Sequence, residues 1–145
     1  MIISIRSESF NPWDELAEIS RSRLDLKGRF GACATFVGTM RDFNEGDDVV
    51  GMELEYYPSM TESQLEQIMG ECCVDHEVLE CMVIHRVGKL LPGDDIVLVG
   101  VWTPHRKSAF IVCREIMEAL KSRAPFWKKE TLRDGQRWVS KNTAG

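Results

Sequence analysis

The spacing of apolar residues divides the chain into short strands and three amphipathic helices. Helical spacing, with apolar residues three and four positions apart, follows Asn11, Thr61 and Pro104. Alternating or continuously apolar segments predict strands at residues 1–5, 31–38, 49–57, 78–87 and 96–102. Since strands and helices do not alternate strictly, the order βαββαββαββ predicts an α+β fold with largely antiparallel sheets rather than a doubly wound sheet.

Local signals indicate where the first two helices begin. Asn11 is a predicted N-cap followed by Pro12, and this helix should end before the polar residues around Arg21. Its inward face is expected to carry Trp13, Leu16, Ala17 and Ile19. Thr61 and Gln64 form a predicted capping box for the second helix. Its inward residues are expected to be Leu65, Ile68, Met69 and Cys72.

The third helix precedes a proline and an aromatic, basic segment. Pro125 disfavours helical geometry at Ala124, so the helix should stop near Arg123. Lys121 lies in its last turn and Lys128 follows beyond the break, where a chain reversal could aim both amines at one spot. Alternatively, both lysines are solvated surface residues, because cations commonly occupy the last turn of a helix, where they complement the helix dipole.

Arg41 could likewise be either a functional side chain or an ordinary surface residue. The small, apolar residues 31–38 predict a strand buried on both faces. Arg41 stands just beyond it in a polar loop predicted over residues 39–48, a common position for functional side chains. It could equally be a surface arginine paired with Asp42 or Glu45. Farther along, Asp134-Gly135 marks a predicted hairpin over residues 132–139, and residues 140–145 are expected to fray.

Composition describes an ordinary single-domain protein of 145 residues, with 43% hydrophobic and 28% charged residues. No segment resembles a membrane span or a signal peptide, so a cytoplasmic location is expected. Five cysteines without a C-x-x-C motif argue against a disulfide framework or a zinc site. They are expected to be core thiols, and no activating base supports a nucleophilic role.

Charge and motifs narrow the chemistry. The net charge is −5, yet bases concentrate in the last third of the chain, which favours an anionic ligand over a nucleic-acid surface. Motifs of nucleotide-binding loops, zinc proteases and serine hydrolases are absent from the sequence. His105-Arg106 opens the third helix, where free backbone N–H groups favour an anion. Two adjacent lysines depress each other's pKa and would suit acyl or group transfer onto a phosphate-bearing substrate.

Several segments carry a resemblance to a known family. They are GACATFVGTMRD, LEYYPSMTE, HRVGKLLPGDDIVLVGVWTPHRKSAF, LKSRAPFWKKE and DGQRWV. In order and spacing they are similar to the MoaE family, the large, catalytic subunits of molybdopterin synthase, over about residues 30 to 140. The resemblance implies an α/β hammerhead fold with an added small antiparallel sheet, which agrees with the α+β prediction.

The resemblance also implies a reaction and its partners. Family members convert cyclic pyranopterin monophosphate (precursor Z) into molybdopterin by installing two sulfurs. The sulfur arrives as a thiocarboxylate on the C-terminal glycine of a small ubiquitin-like partner subunit (MoaD type). A homodimer of large subunits carries one small subunit at each end, forming a heterotetramer. No cofactor and no metal is implied at this step, and neither nucleic acid nor membrane is an expected partner.

Site residues follow from the same resemblance, position by position. Lys121 and Lys128 would be catalytic, with Lys121 nearest the thiocarboxylate carbon and Lys128 binding substrate and assisting proton transfer. The substrate-binding set would be Arg41, His105, Arg106, Phe36, Met117 and Arg137. Within it, His105 and Arg106 can act across the dimer. Lys141 is a weaker match, and an arginine expected near Asn142 is missing.

Two rival functions remain open on sequence alone. One is a non-catalytic module that binds a ubiquitin-like tail or a phosphorylated ligand. The other is nucleic-acid binding through the basic last third, against which stand the acidic total charge and the lack of repeated aromatic and basic strand motifs.

Overall fold

The structure, a computed structural model, describes residues 1–140. Its strands are β1 (Ile2–Arg6), β2 (Ala32–Thr39), β3 (Phe43–Asn44), β4 (Asp47–Tyr56), β5 (Glu80–Arg86), β6 (Gly88–Leu90), β7 (Asp95–Thr103), β8 (Phe126–Leu132) and β9 (Gly135–Trp138). Its helices are α1 (Pro12–Ser22), α2 (Met60–Cys73) and α3 (Arg106–Arg123), with a 3₁₀ turn at Leu24–Leu26.

The strands form two sheets. The first has the order β1-β5-β7-β2, in which β1 runs parallel to β5 and the other pairs are antiparallel. The second has the order β3-β4-β8-β9, with β6 also pairing with β4, and its pairs are antiparallel. An α+β fold with largely antiparallel sheets and a smaller antiparallel sheet is therefore confirmed.

Three apolar clusters hold these layers together. On one face of the first sheet, Val83 and Val99 pack with Leu65 of α2 and Ile116 of α3. On the other face, Trp102 and its neighbours pack against α1. A third cluster, which includes Leu54 and Leu90, lies under the second sheet. Burial of large side chains on both faces explains why β5 and β7 read as continuous apolar runs.

Two predictions about burial were wrong. The strand at residues 31–38 is not buried on both faces, because β2 is the edge of its sheet and leaves Cys33, Thr35 and Phe36 exposed. Trp13 was expected to face inward but is 63% exposed. Apolar side chains on an edge strand or in a first helical turn are common, and the local pattern does not reveal their exposure.

The predicted capping box at Thr61 was also wrong. The residue before α2 is Ser59, and Thr61 lies inside the first turn with no exposed surface. Its hydroxyl accepts the Tyr57 N–H at 3.1 Å and donates to the Pro125 carbonyl at 3.5 Å. This side chain therefore ties the start of α2 to the bend between α3 and β8.

The segment predicted as a loop over residues 39–48 contains a tight hairpin. Strands β3 and β4 are joined by Glu45 and Gly46, with φ values of 52° and 83°. Two consecutive left-handed residues are the signature of the two-residue turn that best fits the twist of a hairpin. Helix α1 also continues to Ser22, slightly beyond its predicted end, whereas α3 ends at Arg123 as predicted.

Candidate active site

A cleft of about 100 Å³ lies where the two sheets meet. Its lining comes from the segment after β2, from the last turn of α3 and from one face of β8. Arg41, Lys121 and Lys128 supply three basic side chains, and Glu130 supplies a carboxylate. The balance of charge therefore suits an anionic ligand.

The bend at Pro125 brings the two lysines together. Ala124 has extended geometry (φ −72°, ψ 132°), so the helix stops and the chain turns back as β8 along β4. Alternate residues of a strand share a face, so Phe126, Lys128 and Glu130 lie on the face of β8 toward the cleft. The predicted convergence of Lys121 and Lys128 is confirmed, while their catalytic roles remain a prediction.

The amine of Lys128 has a strongly perturbed pKa. Burial is the largest cause that lowers the Lys128 pKa to about 8, followed by the charge of Lys121 and a hydrogen bond with Lys121. Arg41 lowers this pKa further, and Glu130 acts in the opposite direction. The lowered pKa means that Lys128 gives up its proton more readily than a solvated lysine does.

A titration of Lys128 tests this electrostatic arrangement. Labelling with an amine-reactive anhydride, followed by mass spectrometry of the Lys128 peptide, should show a half-maximal rate near pH 8, because the neutral amine reacts. A solvated lysine would titrate near about 10.4. The Glu130→Gln variant should move the Lys128 midpoint lower still, since it removes a negative charge that favours the ammonium. A midpoint near 10 in the unmodified chain would contradict the buried pair.

The buried side chain of His85 lies near enough to the lysines to sense their charges. Its ring stacks on Phe126 with centroids 3.9 Å apart, and its Nδ1 donates to the Arg86 carbonyl at 2.8 Å. Burial is the main cause that lowers the His85 pKa to about 4, and the charges of Lys128 and Lys121 contribute. His85 is therefore neutral at physiological pH and adds no positive charge near the lysine pair.

An aromatic ring and a guanidinium stand together at the cleft mouth. The Arg41 guanidinium lies over the Phe43 ring, 4.9 Å from its centroid, and both residues line the cleft. Phe43 is 54% exposed, although it lies on the short strand β3. An exposed aromatic face beside a cation can receive a flat heterocycle that carries an anionic group.

The other predicted site residues lie outside this lining. Phe36 is partly exposed on β2, and Met117 packs against the core cluster of α3. Arg137 lies beside the cleft in ion pairs with carboxylates of its own chain. Lys141 and Asn142 fall outside the described residues.

His105 and Arg106 are well separated from the lysine pair of the same chain. Both are exposed at the start of α3, whereas Lys121 lies in its last turn. Fifteen residues of α-helix between Arg106 and Lys121 span roughly 22 Å. A side chain cannot bridge that distance, so this pair can meet such a cleft only if the cleft belongs to a second copy.

The cleft residues that sequence reasoning missed include Phe43, Asn44 and Glu130. The first two were assigned to a loop, although Glu45-Gly46 is compatible with a two-residue hairpin turn. Glu130 is 5% exposed, and no local pattern distinguishes it from the charged residues around it. Its hydrogen bonds with Asn44 and Arg137 form only in the folded chain.

Burial raises the pKa of Cys113 to about 11, which keeps this thiol protonated. Within residues 1–140, the structure contains no group of three or more His, Cys, Asp or Glu side chains able to hold a metal ion. In the same part of the chain, no helix is both long enough and apolar enough to span a membrane.

Comparison with known proteins connects this site to a family. The family model described as MoaE protein matches residues 6–123. A molybdopterin synthase catalytic subunit of Ralstonia nicotianae is 46% identical over 137 residues, covering 94% of this chain and 76% of the relative. Its counterpart in Pseudomonas aeruginosa is 43% identical over 139 residues, covering 96% and 90%.

Solved structures show the same fold. The MoaE protein of Burkholderia ambifaria matches with a TM-score of 0.78 and 42% identity, covering 99% of this chain and 92% of that one. The molybdopterin synthase of Staphylococcus aureus matches with a TM-score of 0.79 and 29% identity, covering 97% and 96%.

The fold, the lysine-lined cleft and these matches place the chain among the enzymes of molybdenum cofactor biosynthesis. More specifically, the chain belongs to the MoaE family, in which the relatives named above are molybdopterin synthase catalytic subunits.

Proposed function

We propose that this chain transfers sulfur to cyclic pyranopterin monophosphate and so forms the dithiolene of molybdopterin. The sulfur donor is the thiocarboxylate at the C-terminal glycine of a small ubiquitin-like partner. The observation that carries the proposal is the lysine pair, Lys121 and Lys128, buried beside Arg41 in a member of the MoaE family. The whole chain acts as one domain in the cytoplasm.

Arg41 and Phe43 support substrate binding at the cleft mouth. The guanidinium pairs with the substrate phosphate, and a group remote from the reacting carbons thereby supplies binding energy that orients the pterin side chain. Phe36 and Met117 shape the approach to the cleft. The resemblance also assigns Arg137 to substrate binding, and that assignment stays a prediction.

In the proposed reaction, Lys121 and Lys128 have different roles. The partner's thiocarboxylate sulfur forms a bond to a substrate carbon, the carbon–oxygen bond at that carbon breaks, and its oxygen substituent leaves after taking up a proton. The result is a thioester between the two molecules. Water then attacks the acyl carbon, the carbon–sulfur bond to the partner breaks, and sulfur stays on the pterin. The ammonium of Lys121 stabilises the oxyanion of that step, while Lys128, whose lowered pKa eases the loss of its proton, gives and takes back protons. Each partner molecule brings one sulfur, so two rounds complete the dithiolene.

The distance along α3 supports a homodimer in which the sites are shared. His105 and Arg106 of one copy would bind the substrate anion in the cleft of the other copy, because they cannot reach their own. With one small partner at each end, the assembly is a heterotetramer. Its partner tails enter the two clefts separately.

A reconstituted reaction tests the proposed function. The purified chain is mixed with thiocarboxylated partner and cyclic pyranopterin monophosphate, and products are examined by mass spectrometry. The expected product carries two additional sulfur atoms, and two partner molecules are returned as carboxylates for each product. Partner kept as carboxylate is the matched control and should give no product. Binding of both components without sulfur transfer would favour the non-catalytic binding module.

A further inference from the structure

The Arg137 guanidinium is engaged by groups of its own chain. Nε donates to Glu130 Oε2 at 3.1 Å, and Nη2 lies 3.0 Å from the same oxygen. Nη1 donates to Asp47 Oδ2 at 2.7 Å, while Nη2 also donates to the Asn44 carbonyl at 2.9 Å. Since a guanidinium has five N–H groups, these contacts leave it little capacity for a substrate anion.

These contacts join three parts of the second sheet. Arg137 lies on β9 directly opposite Glu130 of β8, whereas Asn44 and Asp47 flank the turn between β3 and β4. The Asn44 amide also donates to Glu130 Oε1 at 2.6 Å. Both carboxylate oxygens of the buried Glu130 are thus bonded. The arrangement connects the hairpin directly to the strand that carries Lys128.

The β3 arm of the hairpin has little support of its own. Strand β3 contains only two residues at the edge of the sheet, whereas β4 is already paired with β8 from Val49 to Tyr56. The β3–β4 ladder is extended by one bond, from the Val49 N–H to the Asp42 carbonyl at 2.8 Å. The hairpin carries Phe43 into the cleft lining and follows directly after Arg41. Its position therefore sets the distance between the cleft mouth and the lysine pair.

We propose that Arg137 is a positioning residue that clamps the β3–β4 hairpin to β8, instead of contacting substrate itself. The inference rests on the proposed function in one respect, because the clamp matters for turnover only if Phe43 and Arg41 receive the substrate. Through Asn44, Asp47 and Glu130 it holds that wall at a fixed separation from Lys128. If Arg137 clamps the hairpin, Asp47→Asn should raise KM, whereas if Arg137 binds substrate directly, the same substitution should not.

Asp47→Asn separates the two roles by the sign of its effect on KM. Asp47 is 56% exposed and lies outside the cleft lining, so its loss threatens neither folding nor direct contact. If Arg137 is a clamp, KM for the pterin substrate should rise about two- to fivefold, the size of one exposed ion pair, with kcat nearly unchanged. If Arg137 bound substrate, removing a competitor for its guanidinium would leave KM unchanged or lower it, which would overturn the proposal.

Substitution of Arg137 itself gives the larger effect. Arg137→Gln should reduce kcat/KM by about tenfold to a hundredfold, mainly through KM, because a misplaced wall weakens substrate orientation. Arg137→Lys should recover little, since an ammonium cannot reproduce the fork that serves both Glu130 and the hairpin. Adding Asp47→Asn to Arg137→Gln should cause no further loss. Substantial rescue by lysine, or full additivity, would overturn the clamp.

Hydrogen exchange tests the clamp without turnover. Amides of residues 43–49 should exchange faster in Arg137→Gln and Asp47→Asn than in the unmodified chain. Arg133→Gln is the matched control, because Arg133 pairs with Asp48 of the same hairpin at 3.3 Å but is 74% exposed. It should change neither exchange nor KM. Faster exchange without any sulfur transfer by the unmodified chain would refute the proposed function alone, whereas unchanged exchange would refute the clamp.

Discussion

Replacing Lys121 with alanine should abolish dithiolene formation and leave the complex with the sulfur-carrying partner intact. In the proposed reaction the ammonium of Lys121 stabilises the oxyanion formed during thioester hydrolysis, and alanine removes that ammonium. Loss of one such preorganised group costs about 10²- to 10³-fold in kcat. Because alanine favours helix and position 121 is in the last turn of α3, folding should be preserved. Single-turnover assays with preloaded partner would isolate the chemical step.

A lysine elsewhere on the surface provides the control for Lys121→Ala. Lys27 is exposed and is not part of the cleft lining, so Lys27→Ala should retain full turnover. Partner affinity, measured by titration calorimetry, should agree among all three chains within about twofold. Turnover by Lys121→Ala within threefold of the unmodified chain would contradict a catalytic lysine at this position. Loss of partner binding together with turnover would instead assign Lys121 to docking.

Local sequence chemistry was sufficient to predict the lysine pair. Pro125 restricts the backbone of Ala124, which ends α3 at Arg123 and turns the chain back. That restriction depends on neighbours in sequence alone, so it can be read without the fold. The apolar spacing of α2 and α3 was equally local, and Leu65, Ile68 and Ile116 are fully buried as expected from it.

The remaining parts of the site depend on contacts between distant segments. Asn44 and Glu130 are 86 residues apart in the chain, yet their side chains are joined by a 2.6 Å hydrogen bond. The edge position of β2 likewise follows from the order of strands in the sheet, which no window of sequence contains. Glu130 and Arg137 face each other across the β8–β9 hairpin, but their other partners, Asn44 and Asp47, come from the distant turn between β3 and β4.

The lowered pKa of Lys128 is a consequence of its burial in the fold. Lys128 on its own strand is one of two consecutive lysines, and Lys129 instead lies on the opposite face, 5.6 Å from the centroid of the Trp138 ring. Only the fold places Lys128 among apolar and positive neighbours that lower its pKa to about 8. The sequence indicated the pair of lysines but not the burial that lowers the pKa of Lys128.

Mixing two inactive variants should restore activity if the site is shared between copies. A dimer formed from one Lys121→Ala chain and one Arg106→Ala chain contains one cleft with Lys121 intact and Arg106 supplied by the neighbour. Such a mixed dimer, isolated by two different affinity tags, should recover about half of the unmodified activity per dimer, since one of two symmetric sites is complete. Each variant alone should be nearly inactive at limiting substrate.

The matched control pairs Lys121→Ala with Lys128→Ala. Both lysines line one cleft of a single chain, so every cleft of that mixed dimer lacks one of them and no activity should return. Rescue by Arg106→Ala but not by Lys128→Ala would separate residues that act across the dimer from residues that act within a chain. The mixed dimer of Lys121→Ala and Arg106→Ala chains could also stay inactive. In that case a second copy does not supply Arg106 to the cleft, and Arg106 lies roughly 22 Å along α3 from Lys121 of its own chain, so Arg106 would have no part in the cleft.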